Sequence, residues 1–174
     1  LKAVLDTGKP VVLVLGTGSA LTFGGEEERC AAVLNMWYPG ALGGKAVANI
    51  LFGKAAPGGK LPVTFYHTTE ELPDFTDYSM KGRTYRYMEQ EALYPFGFGL
   101  TYEPFAASDL KVETSGETAV VSLTVTNQGK RSAGQTVEVY VKDLESSLAV
   151  PNHSLAAFCH VELAAGESRR VELP

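Results

Sequence analysis

The spacing of apolar residues changes part-way along the chain, and this change limits the folds available to it. The apolar run VVLVLG at 11–16 is followed by GGKAVANILFG at 43–53, in which apolar residues lie three and four apart. From about residue 103, segments such as AVVSLTVTN alternate apolar and polar residues instead. A continuous β-branched run favours a strand covered on both faces, whereas alternation favours a strand with one solvated face. The sequence therefore predicts an α/β part with a mostly parallel sheet, followed by an all-β sandwich.

Individual elements follow from the same patterns. In the first part we expect strands over VVLVLG, VLNMWY and LPVTF, a helix over EEERCAAVL, and an amphipathic helix formed around Ala46, Val47, Ile50 and Leu51 that stops at Gly53. In the second part we expect strands over AVVSLTVTN, TVEVYVKDL, LAAFCHVEL and SRRVELP, with NQGK and AAGES as turns. Val121, Leu123 and Val125 are expected on the apolar face of their strand.

Bulk composition excludes several kinds of partner. The formal net charge is −5 and no cluster of Lys and Arg occurs, so we expect no nucleic acid partner. The longest apolar run is far shorter than the roughly 20 residues that cross a bilayer, so we expect no membrane association. The chain begins LKAVLDTGKP, without Met and without a signal-peptide pattern. This start is typical of a piece of a longer polypeptide.

The two cysteines, Cys30 and Cys159, lie far apart and neither is part of a CxxC motif. We expect two free, buried thiols that pack as small hydrophobes. Their pattern slightly favours a cytoplasmic over a secreted location, and the localisation otherwise stays open.

Motifs for common cofactors and catalytic groups are incomplete. GTGSALTFGG follows a strand, but Leu21 stands where a dinucleotide-binding turn needs its third glycine. Ser19 likewise lacks the glycine two residues later that a nucleophile elbow requires. The histidines His67, His153 and His160 are scattered without metal-ligand spacing. We therefore expect no cofactor and no metal.

An irregular aromatic segment, GRTYRYMEQEALYPFGFGLTYEPF, separates the two parts. Aromatic rings bury much area at low entropic cost, so the segment is suited to joining layers of different architecture. We expect an α/β part over 1–80, an aromatic hinge over 81–104 and a β domain over 105–174. Direct contact of this segment with a ligand stays open as the alternative.

Several stretches, taken in order, resemble the C-terminal portion of family 3 glycoside hydrolases, the β-glucosidase and β-xylosidase group. They are GKPVVLVLGTGSAL, MWYPGALGGKAVANILFGKAAPGGKLPVTF, and LPDFTDYSMKGRTYRYMEQEALYPFGFGLTYEPF. VVSLTVTNQGKRSAGQTVEVYVKD and HSLAAFCHVELAAGES then resemble the fibronectin type III-like domain that ends many of these enzymes. The resemblance spans nearly the whole chain, and its ordered motifs are specific.

The resemblance implies an exo-acting retaining β-glycosidase, in which one carboxylate attacks the anomeric carbon and a second protonates the leaving oxygen. It implies that the nucleophile, an Asp on a TIM barrel, and the acid/base Glu both precede the segments matched here. No residue of this chain takes over a catalytic role, so the chain alone is expected to be inactive. Arg83, Tyr85, Arg86 and Tyr87 are substrate-binding candidates, either in the wall of the sugar pocket or as a brace of the hinge.

Two further expectations concern partners. An oligosaccharide or β-glucoside would be bound through the parent enzyme, whereas a non-catalytic carbohydrate- or protein-binding module and a structural spacer are the alternative classes. The fibronectin-like part is expected to be incomplete, and an open sheet edge recruits another strand. We therefore expect a homodimer through the β half.

Overall fold

A computed structural model describes residues 1–148 and 150–174, and most of the regular structure consists of strands, with few and short helices. The described chain forms two compact units. The first comprises Leu1–Phe52 and Val63–Phe96, and the second comprises Gly53–Pro62 and Gly97–Pro174.

The first unit holds a pair of parallel strands and three helices. The strands are β1 (Val12–Leu15) and β2 (Ala32–Asn35), and the helices are α1 (Lys2–Leu5), α2 (Gly43–Leu51) and α3 (Thr84–Tyr87); single 3₁₀ turns occupy Glu26–Arg29 and Thr69–Glu71. Strand β1 pairs with β2 from Val12 opposite Ala32 to Leu15 opposite Asn35. The expected strand over 11–16 and helix over 43–53 are confirmed.

Two predicted elements of the first unit are wrong. EEERCAAVL forms one 3₁₀ turn and then becomes extended at Cys30, because the Ala31 amide donates to the Val11 carbonyl and directs the chain into the ladder with β1. LPVTF contributes only an isolated bridge between Phe65 and Tyr94. Pro62 has no N–H to donate, which works against a longer ladder at that point.

Helix α2 is bounded by tight local packing. Gly43 is buried, and a side chain there would collide with the Pro39 ring. At the other end, Gly53 has φ +68°, a left-handed conformation that glycine adopts without steric cost and that ends a helix. Val47 and Ile50 are half-buried, whereas Leu51 is 43 % exposed.

The described residues of the second unit form a β-sandwich of five strands. They are β3 (Phe105–Ser115), β4 (Thr118–Asn127), β5 (Ala133–Val141), β6 (Ser154–Leu163) and β7 (Ser168–Leu173). An antiparallel sheet in the order β3-β4-β7 faces a second antiparallel sheet formed by β5 and β6. The four predicted strands are confirmed.

The core of the sandwich joins both sheets. Leu123, Val125 and Val171 from the first sheet pack with Val161 and Leu163 from the second. These residues occupy alternate positions on their strands, so the expected apolar face of β4 is confirmed.

Strand β3 was not predicted from sequence. FAASDLKVETS is mostly exposed and has no regular apolar alternation, so its strand conformation depends on its ladder with β4. The register shifts between Ser108 and Lys111, where Asp109 has φ +53°. Such a bulge bends an edge strand and discourages pairing with another chain.

The turn after β4 is held by a fully buried amide. Asn127 is 0 % exposed, and its Nδ2 donates to the carbonyls of Arg131 and Leu163 at 2.8 and 3.1 Å, while its Oδ1 accepts from the Gly129 amide at 2.9 Å. A buried amide with these partners meets its hydrogen-bonding needs without water. NQGK is therefore a turn, as predicted, with Asn127 as its central support.

Across residues 1–148 and 150–174, the helices are all too short or too polar to cross a membrane.

We expect Leu163→Ala to lower the free energy of unfolding of the second unit by about 2–5 kcal/mol, because the side chain is fully buried and its removal leaves a cavity. Leu144→Ala is the matched control, since Leu144 is 82 % exposed, and its effect should stay within about 0.5 kcal/mol. Urea denaturation of both variants measures the difference. Equal stability of the two variants would contradict the assigned core.

Candidate functional site

The four sequence-predicted candidates lie on one short turn of the first unit. The Tyr85 ring stacks on Phe96 with centroids 4.5 Å apart and planes 18° from parallel. The Arg86 guanidinium lies over the Tyr87 ring, 5.7 Å from its centroid. Offset stacking and cation–π contact each contribute about 0.5–1.5 kcal/mol, so both pairs help to order the turn.

The backbone of this turn is strained and then anchored. Thr84 has φ +56°, which for a β-branched residue costs about 1–3 kcal/mol. The Thr84 amide donates to the Tyr66 hydroxyl at 2.8 Å, and the Tyr85 amide donates to Thr64 Oγ1 at 3.0 Å. The first amide groups of a helix have no backbone acceptor within the helix. Here the side-chain oxygens of Tyr66 and Thr64 accept these hydrogen bonds instead.

The Arg83 side chain is hydrogen-bonded to the neighbouring loop. Its Nη2 donates to the carbonyl oxygens of Asp74 and Asp77 at 2.8 and 3.0 Å. One guanidinium group thus joins the LPDFTDY loop to the start of α3. Arg86, in contrast, has an exposed side chain beside Tyr87.

The carboxylates of this loop close turns. Asp74 Oδ1 accepts from the Thr76 amide at 2.8 Å and from the Thr76 hydroxyl at 2.6 Å, and Asp77 Oδ1 accepts from the Ser79 amide at 2.9 Å. The Thr76 hydroxyl and then its amide hold the pKa of Asp74 below its usual value, and the Ser79 amide does the same for the pKa of Asp77. A general acid needs the opposite shift, a raised pKa.

Other acidic groups follow the same pattern. Among the described residues the pKa is lowered, mainly by local hydrogen-bond donors, for four further carboxylates: Asp6, Glu70, Glu103 and Glu167. Glu27 differs, because it is 6 % exposed and its Oε2 has no hydrogen-bond partner in the described chain. Burial raises the pKa of the nearby Tyr94, and the charges of Glu27 and Glu28 add to the effect.

Metal and thiol chemistry find no support within residues 1–148 and 150–174. No group of three or more His, Cys, Asp and Glu side chains is placed to hold a metal ion there. Cys30 and Cys159 are both free, as predicted, but they are half-buried and not buried as expected. Burial raises the pKa of the Cys159 thiol, so the reactive thiolate is disfavoured.

Sequence reasoning missed two polar groupings of the second unit. His160 lies 3.0 Å from Thr136 Oγ1 through Nδ1 and 3.0 Å from Glu162 Oε1 through Nε2. Glu103 Oε1 accepts from Arg131 Nε at 2.6 Å. The first grouping could have been found from the pairing register of β5 and β6, which places Thr136 opposite His160. The second joins residues 28 apart in sequence and has no local sequence signal.

Two stretches of this chain match known protein families. Residues 1–102 match the glycosyl hydrolase family 3 C-terminal domain, and residues 135–174 match a fibronectin type III-like domain. The chain belongs to glycosyl hydrolase family 3, and the resemblance seen in its motifs is confirmed.

Similar proteins agree with this assignment. A xylan 1,4-beta-xylosidase of Xylanibacter ruminicola is 44 % identical over 99 % of this chain and 20 % of its own length. A periplasmic beta-glucosidase of Salmonella typhimurium is 34 % identical over 99 % of this chain and 25 % of its own. The crystal structure of a GH3 beta-glucosidase from Bifidobacterium adolescentis superposes with a TM-score of 0.90 at 34 % identity, over 98 % of this chain and 27 % of that one. The chain thus spans a fifth to about a quarter of the length of these relatives.

We expect Thr76→Val to raise the pKa of Asp74 toward its usual value of 3.8, because the hydroxyl that stabilises the carboxylate is lost. Since the folded pKa of Asp74 is depressed, the stabilisation of this turn is complete above the usual pKa and is lost as pH falls through the depressed value. Carboxyl-detected NMR titration measures both changes. The pKa of Asp77, whose first partner is Ser79, is the internal control, and an unchanged Asp74 titration would contradict the assigned hydrogen bond.

Proposed function

We propose that this chain is the C-terminal scaffold of an exo-acting retaining β-glycosidase that hydrolyses terminal β-linked sugars. The observation that carries the proposal is the family match over residues 1–102. It is supported by the relatives, which are named as a β-xylosidase and β-glucosidases. The substrate of the whole protein is accordingly a β-glucoside or β-xyloside, or an oligosaccharide with such a terminal unit.

We further propose that the chain alone is catalytically inert. Retaining hydrolysis needs two carboxyl groups about 5–5.5 Å apart, one ionised and one protonated with a raised pKa. The carboxylates whose pKa is shifted in the described chain are all shifted downward by local donors. Such groups accept hydrogen bonds in turns and ion pairs, and none of them suits the general acid.

The finer architecture is also proposed. The first unit would be the end of an α/β sandwich domain with a mostly parallel sheet, which the parallel pairing of β1 and β2 supports. The boundaries at residues 80 and 104, with an aromatic hinge between them, stay a prediction.

The four candidates divide between two roles in this proposal. Arg83 and Tyr85 brace the segment, because the Arg83 guanidinium is engaged by two carbonyls and the Tyr85 ring is stacked on Phe96. Arg86 and Tyr87 are the candidates for sugar contact, since Arg86 is exposed and the pair presents a cation beside an aromatic ring. The guanidinium group can donate hydrogen bonds to the hydroxyl groups of a sugar, and the aromatic ring can pack against its C–H face.

We also propose that the β half forms a homodimer. Within the described residues, β6 pairs only with β5, and each strand carries an exposed apolar side chain, Phe158 at 66 % and Val141 at 59 %. An unprotected edge with apolar side chains recruits another strand.

Sedimentation equilibrium tests the dimer. We expect a concentration-dependent mass of two chains, shifted toward one chain by Phe158→Lys, because a charge on the pairing strand opposes association. Phe75→Lys, at a residue of the first unit that is 89 % exposed, is the control and should leave the dimer intact. A single-chain mass at all concentrations would refute the proposal.

Hydrolysis of aryl β-glucosides and aryl β-xylosides tests the catalytic proposal. We expect the 174-residue chain to release no more phenol than buffer, because the proposal assigns the two catalytic carboxyl groups to other parts of the parent enzyme, whereas a complete family member assayed in parallel shows turnover. Release that increases with the concentration of purified chain would overturn the claim of inertness.

A further inference from the structure

We propose that a small cationic cleft in the second unit binds a sugar that carries a carboxylate, of the uronate class. The cleft has a volume of about 200 Å³ and is lined by Gly53, Lys54, Ala55, Ala56, Tyr102, Arg131 and Ser132. Nothing in the β-glycosidase assignment requires a cationic site there.

The first argument is the fixed position of Arg131. Its Nε donates to Glu103 Oε1 at 2.6 Å, and Glu103 Oε2 accepts from the Lys130 amide at 2.8 Å. The Glu103 side chain is only 7 % exposed, and a side chain at Gly129 would collide with it. A buried, fully bonded carboxylate thus holds the guanidinium at the cleft, which lowers the entropic cost of using it to bind a ligand.

The second argument is the unused hydrogen-bonding capacity of two cationic side chains. Among the described residues, the two terminal amino groups of Arg131 and the ammonium group of Lys54 have neither a hydrogen-bond acceptor nor an acidic partner. Arg131 therefore presents the paired N–H groups that match a carboxylate, and Lys54 adds a second cation on the same cleft. In a chain with net charge −5, the cleft thus combines an unpaired cation, Lys54, with the unused N–H groups of Arg131, whose charge is paired with Glu103.

The third argument concerns the size and polarity of the cleft. A volume of about 200 Å³ is that of roughly seven water molecules, which leaves room for a sugar ring and exceeds the need of a bare tetrahedral oxyanion. Tyr102 is 44 % exposed, and Gly53, Ala55 and Ala56 add no polar side chains. This apolar wall suits the C–H groups of a sugar ring, while the two cations suit its polar groups. The Ser132 hydroxyl donates to the Leu163 carbonyl at 3.3 Å.

Titration of the ¹⁵N-labelled 174-residue chain with D-glucuronate tests the site, with D-glucose as the neutral counterpart and inorganic phosphate as the simple anion. We expect glucuronate to shift the amide signals of residues 53–56, 102 and 131–132. Glucose should bind at least about tenfold more weakly, since it lacks the charge-assisted contacts. Added salt should weaken glucuronate binding, because the site is open to solvent.

Two variants separate recognition from folding. Lys54→Gln removes one cation while keeping the pair between Arg131 and Glu103, and should weaken glucuronate binding about fivefold to tenfold. Arg131→Gln should weaken it further, and its amide spectrum reports whether the second unit still folds. Lys111→Gln, at an exposed lysine of β3 outside the cleft, is the matched control and should bind like the unaltered chain.

Three outcomes would overturn the proposal. They are equal affinity for glucuronate and glucose, signal changes confined to residues outside the cleft, and unchanged binding in Lys54→Gln and a folded Arg131→Gln. Phosphate binding as tight as glucuronate binding would refute the sugar specificity and leave a general oxyanion site.

Discussion

Packing between the two sheets of the β-sandwich is the interaction on which the second unit depends. Leu163 is fully enclosed, and it contacts residues of both sheets through the shared apolar cluster. This cluster is where apolar side chains of the two sheets are removed from water together, and such burial is the main favourable term in folding. The turn after β4 and the cationic cleft beside it keep their geometry only while these sheets stay together.

In the first unit, the polar groups of the LPDFTDY loop are fixed by hydrogen bonds formed over short distances in sequence. Asp74 and Asp77 accept from residues two positions later, and Arg83 then joins their loop to α3. Each bond favours the ionised carboxylate, so these acids are permanent acceptors at neutral pH. A loop stabilised in this way supplies rigidity to its surroundings and no proton donor, which agrees with a scaffold and not with a catalytic centre.

The sequence was sufficient for elements with a strong period. Alternation in β4 and helical spacing in α2 both predicted the observed structure, because in each case the pattern reflects burial on one face. It failed where tertiary contacts outweighed local preference. EEERCAAVL has a helix-like start, yet pairing with β1 draws it into a strand, and the polar β3 is a strand only because β4 lies beside it.

The candidate site was predictable as a segment but not as an arrangement. The motif GRTYRY located the turn through its resemblance to the family. The different contacts of Arg83, which donates to a carbonyl of the neighbouring loop, and of Arg86, which lies over the Tyr87 ring, depend on the tertiary structure and could not be predicted from the motif. The cleft of the second unit gave no signal at all, since Glu103 and Arg131 are distant in sequence and ordinary in composition.

The Glu103 carboxylate links the stability of that cleft to pH. The Lys130 amide, followed by the Arg131 guanidinium, holds the pKa of Glu103 below its usual value of 4.5. Because the folded pKa is depressed, the stabilisation is fully present above the usual pKa and disappears as pH falls through the lower, folded value. The arrangement that positions Arg131 is therefore complete throughout the neutral range, where a uronate is also ionised. The cationic side chains of the cleft and the carboxylate of the proposed ligand thus carry opposite charges in the neutral range. Acid protonates both Glu103, which positions Arg131, and the ligand carboxylate, so the contact is weakened from both sides.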